Sequence, residues 1–419
     1  MLEVGEASAR ILNAIRPLAE ENVALDEAGG RVLAKAVVAT TISPPWDNSS
    51  MDGYAVRSAD IVLRSGGAER VPSLKVVATI AAGGFAPRPL GVGEAMRIMT
   101  GAPIPIGADS VVRIEDTDRG TDRVAITNLR DLQKNIRHAG EDFVEGADLF
   151  EPGTELRAAH LGVLASAGIG FVDVHRRPRV AVITSGDELV ELRDYSSDVA
   201  GLKIISSNSW TLPQLIRDAG AEAVDLGIAS DDPASLRGKL DQTKGFDLII
   251  TSAGVSVGDL DNVRAVFAEL GGELAFWKVK MRPGAPMAFG TLRGVPWLGF
   301  SGNPVSAMVS FEVFGRPVVR KMLGHAKLHR ALVPVRLAEP VEIAAPLTHF
   351  LRVSVSRRDD HEFVARLAGS QSSAVLTAMA RANALLVVPP ESRSNPTGSI
   401  LNALPLSDDL WLSEQLGIQ

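Results

Sequence analysis

Cysteine is absent from the 419 residues. That excludes disulfides, thiolate metal sites and a cysteine nucleophile, and it fits a cytoplasmic setting. Histidine is scarce, with seven in the chain, and none stands at metal-ligand spacing. There is no glycine–lysine loop of the Walker type, no GxGxxG fingerprint and no serine–histidine–aspartate arrangement. The usual kinase, dehydrogenase and hydrolase patterns are therefore set aside. No basic block stands out among 43 Lys and Arg against 50 Asp and Glu. Nucleic acid is not the expected partner, and the net charge of −7 reads as solubility. Met1-Leu2-Glu3-Val4-Gly5-Glu6 lacks the basic and apolar regions of a signal peptide. No apolar run is long enough to cross a bilayer, so no membrane partner is expected.

What is present is ordinary for a folded chain, 46% hydrophobic and 22% charged. The length implies roughly two to four domains. Thirty-nine glycines and 24 prolines imply many turns and a β-rich part. Residues 5–20 read as an amphipathic helix with Ala9, Ile11, Leu12, Ile15 and Leu18 on one face. A strand is expected over 33–39, then a polar loop from Ser43 to Ala55. From about 56 to 151 short Val/Ile runs are broken by Gly and Pro, and residues 157–167 look helical.

The pattern changes after Pro178. Residues 180–184 are continuously apolar, as a strand buried on both faces would be. A helix capped by Ser207 or Asn208 should run to Ala219, then a strand over 223–228, a helix over 233–242, a strand over 247–251 and a helix over 262–270. This alternation predicts a doubly wound, mostly parallel sheet. A further strand at 297–300 precedes a closing helix over 304–323. Strands are expected again at 333–337, 351–356, 362–367 and 384–388, with one helix at 373–381.

Ligands of a doubly wound sheet bind beyond the carboxyl ends of its strands. Three such ends carry suitable residues: Thr184-Ser185-Gly186-Asp187-Glu188, Thr251-Ser252-Ala253-Gly254-Val255-Ser256 up to Asp261, and Ser301-Gly302-Asn303-Pro304. Small and hydroxylated residues let the backbone approach a phosphate, and a following helix presents free N–H groups. Carboxylates beside a phosphate call for a cation between them, so Glu188 and Asp261 suggest Mg²⁺. Each loop alone fits an ordinary capped turn; their shared edge is what argues for a site. Lys278, Lys280 and Arg282 alternate in a β period and are expected on one face, where they could hold an anion.

Several polar strips resemble the molybdopterin molybdenumtransferases, the family that includes the C-terminal part of gephyrin. They are Asn48-Ser49-Ser50-Met51-Asp52-Gly53-Tyr54-Ala55, Met99-Thr100-Gly101-Ala102-Pro103-Ile104-Pro105, Gly140-Glu141-Asp142, Ser185-Gly186-Asp187-Glu188-Leu189, Gly254-Val255-Ser256-Val257-Gly258 with Asp261, and Gly302-Asn303-Pro304-Val305-Ser306. The order and spacing hold over nearly the whole chain. The resemblance implies an elongated linker domain over 1–45 and 146–177, an inserted β domain over 46–145, a molybdopterin-binding α/β domain over 178–326 and a C-terminal β-barrel over 327–419. It implies a homodimer in which one subunit's insert helps close the other's cleft. The implied reaction takes adenylylated molybdopterin and molybdate, needs Mg²⁺, releases AMP and leaves molybdenum on the dithiolene. Implied partners are the molybdopterin adenylyltransferase upstream and recipient molybdenum enzymes downstream.

Carried over by motif, Asp52, Thr100, Asp142, Glu188, Asp231 and Asp261 fall at the family's functional polar positions, with Glu188 and Asp261 on the metal. Ser185, Gly186, Asp187, Ser252, Gly254, Ser256, Ser301 and Asn303 would hold the substrate, and Lys278, Arg282, Arg352 and Ser373 its anionic parts. Two places depart from the family. Arg282-Pro283-Gly284-Ala285-Pro286 stands where Lys-Pro-Gly-Lys-Pro is common, and Ser301-Gly302-Asn303-Pro304 replaces Pro-Gly-Asn-Pro. Ala285 removes a charge, which favours a second reading: a molybdopterin-binding paralogue with weak or specialised activity. A gephyrin-like scaffold is a third reading, which the absence of a long linker disfavours. An adenylyltransferase would lack the motifs at 48–55 and 99–105.

Overall fold

The structure, a computed structural model, describes residues 1–64, 73–197, 200–253, 260–358 and 362–412; side chains at 62–64 and 260–264 are outside the description. The first helix is Val4–Ala14 and buries Ala7 and Ile11. It stops short of residue 20, and Ala7 rather than the exposed Ala9 joins the core. Pro17 cannot donate to a helix and disfavours it at the residue before, and Ile15 is already extended at φ −94°.

Strand Glu20–Ala24 pairs with Phe171–His175, so the chain segments flanking the insert close on each other. The expected strand at 33–39 is reduced to Val37–Val38. Between these segments a five-stranded sheet runs in the order Ser110–Arg113, Gly53–Val56, Glu94–Ile98, Ser73–Ile80, Arg123–Ala125. Part of the expected polar loop is thus strand. A Cβ on Gly53 would sit 2.0 Å from the Val112 carbonyl oxygen, so only glycine permits this close crossing.

The central sheet has six strands in the order Glu222–Ala229, Arg179–Ser185, Leu248–Ser252, Val295–Phe300, Ala288–Leu292, Gly272–Trp277. The first four run parallel, and Ala288–Leu292 pairs antiparallel with both of its neighbours, Val295–Phe300 and Gly272–Trp277. Its strands alternate between two cores. Val180, Val182, Leu248 and Ile250 pack with helix Asn208–Asp218 and the closing helix, whereas Ile183, Ile249 and Trp297 pack with helices Pro233–Asp241 and Leu260–Glu269. Each such buried apolar side chain contributes about 1.5–3 kcal/mol. The closing helix is not uniform: Pro304–Ser310 passes through a π turn, Phe311–Gly315, into Arg316–Met322. Pro317 lacks the N–H an α-helix would use there, and the wider turn absorbs the missing bond.

The C-terminal region is a closed barrel. Strands Thr348–Arg357, Phe363–Leu367, Val333–Leu337, Ile400–Pro405 and Ala384–Val388 pair in that order, and the last returns to the first. Closure leaves no free sheet edge among them. The short strand Met281–Arg282 leaves the α/β region and pairs in parallel with Thr348–His349, which ties the two regions together. No described helix is long and apolar enough to cross a membrane.

Candidate functional site

Strands Arg179–Ser185, Leu248–Ser252 and Val295–Phe300 are neighbours and parallel, so their carboxyl ends open side by side. The three strand ends meet as expected, and of the second loop residues 251–253 are described. A cavity of ≈480 Å³ lies there, lined by Thr184, Ser185, Glu188, Asn208, Ser301 and Asn303 among others. Ser252 is fully buried beneath it, where its hydroxyl accepts from Asn208 Nδ2 at 2.6 Å. Gly302 lets the third loop press on the second: a Cβ there would lie 3.1 Å from that of Ala253.

The turn after the first strand is built around Gly186. Its φ is +147°, and a Cβ would fall 2.6 Å from a carboxylate oxygen of Glu188. Only glycine suits this backbone and leaves room for that carboxylate. Asp187 and Asp231 lock the turn to the neighbouring loop. The Asp231 N–H donates to Asp187 Oδ1 at 3.1 Å, and the Asp187 N–H donates to Asp231 Oδ2 at 3.3 Å. Lys203 donates to the Asp187 carbonyl. Each aspartate keeps one oxygen outside these bonds.

Glu188 is exposed and has no side-chain hydrogen bond among the described residues. Hard carboxylate oxygens of this kind suit Mg²⁺, which commonly takes one or two protein carboxylates plus water and phosphate oxygens. Among the described residues no three acidic or histidine side chains cluster as a metal cage. Gly254 and Ser256 lie outside the described residues, as does the side chain of Asp261.

A second cavity of ≈740 Å³ lies between the α/β region and the barrel, lined by Arg282, Ala285, Ser301, His349, Arg352 and Ser373 among others. The two cavities share Pro286, Ser301 and Asn303. Arg352 is fully buried, and burial pulls its pKa below the ordinary guanidinium value. One of its terminal nitrogens donates to the Ser370 and Ser372 carbonyls at 3.2 Å, while Nε and Nη1 have no partner. Those two donors are what a planar or tetrahedral oxyanion would satisfy. Burial, with the Arg282 charge as a lesser cause, holds the His349 pKa down. The Ser373 carbonyl accepts from the Val305 N–H at 3.3 Å, which pins this loop to the closing helix.

The expected single face of Lys278, Lys280 and Arg282 does not form. The strand ends at Trp277, and Lys278 has φ +67° with its ammonium 4.0 Å from the Trp277 ring centroid. Lys280 is paired with Glu3 at 2.6 Å. The left-handed residue breaks the period-two alternation, so Arg282 alone of the three lines the second cavity.

The insert's polar residues are elsewhere. Asp52 Oδ1 accepts from the Thr100 N–H and hydroxyl, both at 2.7 Å, and these bonds lower its pKa. Asp142 is exposed, and its N–H donates to the Ser43 carbonyl. Among the described residues these bonds stay within the insert and its root, and none reaches residues 178–326.

Residues 2–168 match the MoeA N-terminal region (domain I and II), 181–321 a probable molybdopterin binding domain, and 334–406 the MoeA C-terminal region (domain IV). The chain is 35% identical over 422 residues to molybdopterin molybdenumtransferase 1 of Mycobacterium tuberculosis, covering 96% of this chain and 98% of that one. The chain belongs to the molybdopterin molybdenumtransferase family. It is an enzyme of that type, with a role in molybdenum cofactor biosynthesis. A Nostoc molybdopterin molybdenumtransferase is 37% identical over 374 residues, 88% of this chain and 85% of the relative. The crystal structure of a molybdopterin biosynthesis MoeA protein from Pyrococcus horikoshii superposes with a TM-score of 0.80 at 26% identity, over 96% of this chain and 100% of that one.

Thr184 lies in the turn that the sequence already places at the ligand edge, whereas Asn208 is legible along the chain only as a helix cap. Asn208 instead turns inward, to Ser252 and the Gly302 carbonyl. A polar residue opening an amphipathic helix on its buried side was the available signal.

Proposed function

We propose that this enzyme transfers molybdenum from molybdate to adenylylated molybdopterin, with Mg²⁺-dependent release of AMP. The observation that carries the reading is the pair of adjacent cavities that share Pro286, Ser301 and Asn303. One is uncharged and polar at its floor with a carboxylate at its rim; the other presents two guanidinium groups. A substrate bridging them would place its phosphates and dithiolene near the shared wall of Ser301 and Asn303.

Arg282 and Arg352 would draw molybdate into the second cavity and hold it beside that wall. Glu188, aided by the free oxygens of Asp187 and Asp231, and Asp261 would hold the cation. When bound, Mg²⁺ would offset charge on the pyrophosphate and on the departing AMP. Ser185 lines the first cavity, and the Gly186 turn leaves room for the Glu188 carboxylate at its rim.

We further infer a homodimer in which Asp52, Thr100 and Asp142 serve the partner's cleft. Their bonds keep them within the insert, yet Asp52 is held ionised and oriented by Thr100 as a functional group would be. A cytoplasmic setting suits this reaction. The decisive measurement is a single turnover with adenylylated molybdopterin, molybdate and Mg²⁺. AMP release coupled to retained molybdenum is expected; tight pterin binding without AMP release would instead support the paralogue reading that Ala285 favours.

A further inference from the structure

Asn208 is buried at the first turn of helix Asn208–Asp218 and lines the first cavity. Its amide orientation is settled by chemistry. The Gly302 carbonyl can only accept, so the atom 2.8 Å from it is the Nδ2 donor. The same nitrogen donates to Ser252 Oγ at 2.6 Å, which leaves the serine proton facing the Ser301 carbonyl at 3.5 Å. Both amide hydrogens are thereby used. Asn208 Oδ1 is buried and has no hydrogen-bond partner.

Thr184 is the register partner of Ser252 on the adjoining strand. It is 1% exposed, and its Oγ1 is also buried without a partner. Both orphaned atoms belong to residues of the same cavity wall. Unpaired buried polar atoms destabilise a free protein, and two in one cavity point to a ligand that completes them.

We propose that Asn208 Oδ1 and Thr184 Oγ1 form a floor that binds the N–H edge of a flat heterocycle of the substrate. The fixed carbonyl oxygen accepts a ring or exocyclic N–H, and the threonine hydroxyl pairs beside it. A phosphate does not suit this floor, because the amide oxygen offers no donor and repels an anion. Leu189, Ile205 and Pro304 line the same cavity and offer apolar contact to a planar ring. The anionic part of the substrate is then directed toward Ser301, Asn303 and the guanidinium groups of the second cavity. This rests on the proposed substrate and adds which of its groups enters the floor and which way it points.

Thr184→Val is nearly isosteric and removes one orphan. The Kd of the full chain for adenylylated molybdopterin, measured with molybdate omitted, should rise about tenfold. The Tm of the free protein should stay the same or rise, and Thr184→Ser should restore affinity. Free AMP, titrated separately, identifies the heterocycle: an equal loss assigns the adenine, and unchanged AMP affinity assigns the pterin. Unchanged Kd values for both ligands would overturn the proposal. A lowered Tm would overturn it too, since the hydroxyl would then be partnered in the free protein. A wild-type chain that does not bind adenylylated molybdopterin removes the proposed function and this inference together. A wild type that binds it, with Thr184→Val indistinguishable, removes the inference alone.

Discussion

The carboxylate of Glu188 folds over Gly186, whose φ of +147° no other residue adopts without strain. Gly186→Ala is therefore expected to cost about 1–3 kcal/mol of stability. It should also displace Glu188, so AMP release should fall even where urea titration shows a folded protein. Glu188→Gln keeps the shape and removes the charge. It should abolish Mg²⁺-dependent AMP release while leaving stability unchanged within about 0.5 kcal/mol, because the residue is exposed. Retained Mg²⁺ dependence in that variant would refute the assignment of Glu188 to the cation. Ala285 belongs to the same scale. It lines the second cavity with Arg282, so Ala285→Lys should lower the molybdate concentration for half-maximal turnover by roughly 3- to 10-fold. An unchanged or higher value would mean that anion grip does not pass through this position.

Elements decide how these residues meet. Three parallel strands end at one level, which makes their loops converge; that much follows from strand–helix alternation and was legible in the sequence. The join between the α/β region and the barrel was not. It depends on strand Met281–Arg282 pairing with Thr348–His349 and on the Ser373 carbonyl meeting the closing helix. These contacts link residues far apart in sequence, and local periodicity holds no record of them. The alternation of Lys278, Lys280 and Arg282 misled for a related reason: a single left-handed residue cancels the two-residue repeat. At this join Arg352 is buried with two unpaired nitrogens. Arg352→Met should shift unfolding stability by no more than about 1 kcal/mol, since a buried charge contributes little net stability. Molybdate affinity, read by equilibrium dialysis, should nevertheless fall about 100-fold. A large loss of stability with affinity retained would make Arg352 structural.

At the scale of the whole molecule, the insert and the cleft form no described bond with each other, and the proposed dimer supplies the connection. Mixing inactive Asp142→Asn and Glu188→Gln subunits then gives hybrids with one intact site. A random equal mixture should recover about a quarter of wild-type AMP release; no recovery would place Asp142 in its own subunit's cleft. The packing between the N-terminal segments and the closing helix has its own pH signature. Burial, with Arg320 close by, lowers the His325 pKa to about 4. A depressed imidazole binds fewer protons folded than unfolded. Its stabilisation is present above the unfolded value of about 6.5 and is lost progressively as pH falls toward 4. The loss amounts to at most about 3 kcal/mol. His325→Asn should flatten unfolding stability between pH 7 and 4.5, as measured by urea titration at each pH.

The sequence by itself determined the fold class, because buried parallel strands and amphipathic helices leave local signatures in periodicity and turn chemistry. It also determined the family, because long polar strips survive in order. The turn at Thr184–Glu188 falls on the ligand edge for the same reason. Tertiary structure alone decided which polar atoms remain unpaired there. Asn208 is a helix opening in the sequence and becomes part of a cavity wall only when Ser252 and Gly302 take both its hydrogens. Arg352 is one basic residue among many until the barrel closes around it. Whether a donor or acceptor is satisfied depends on every neighbour in space, and that cannot be read along a chain.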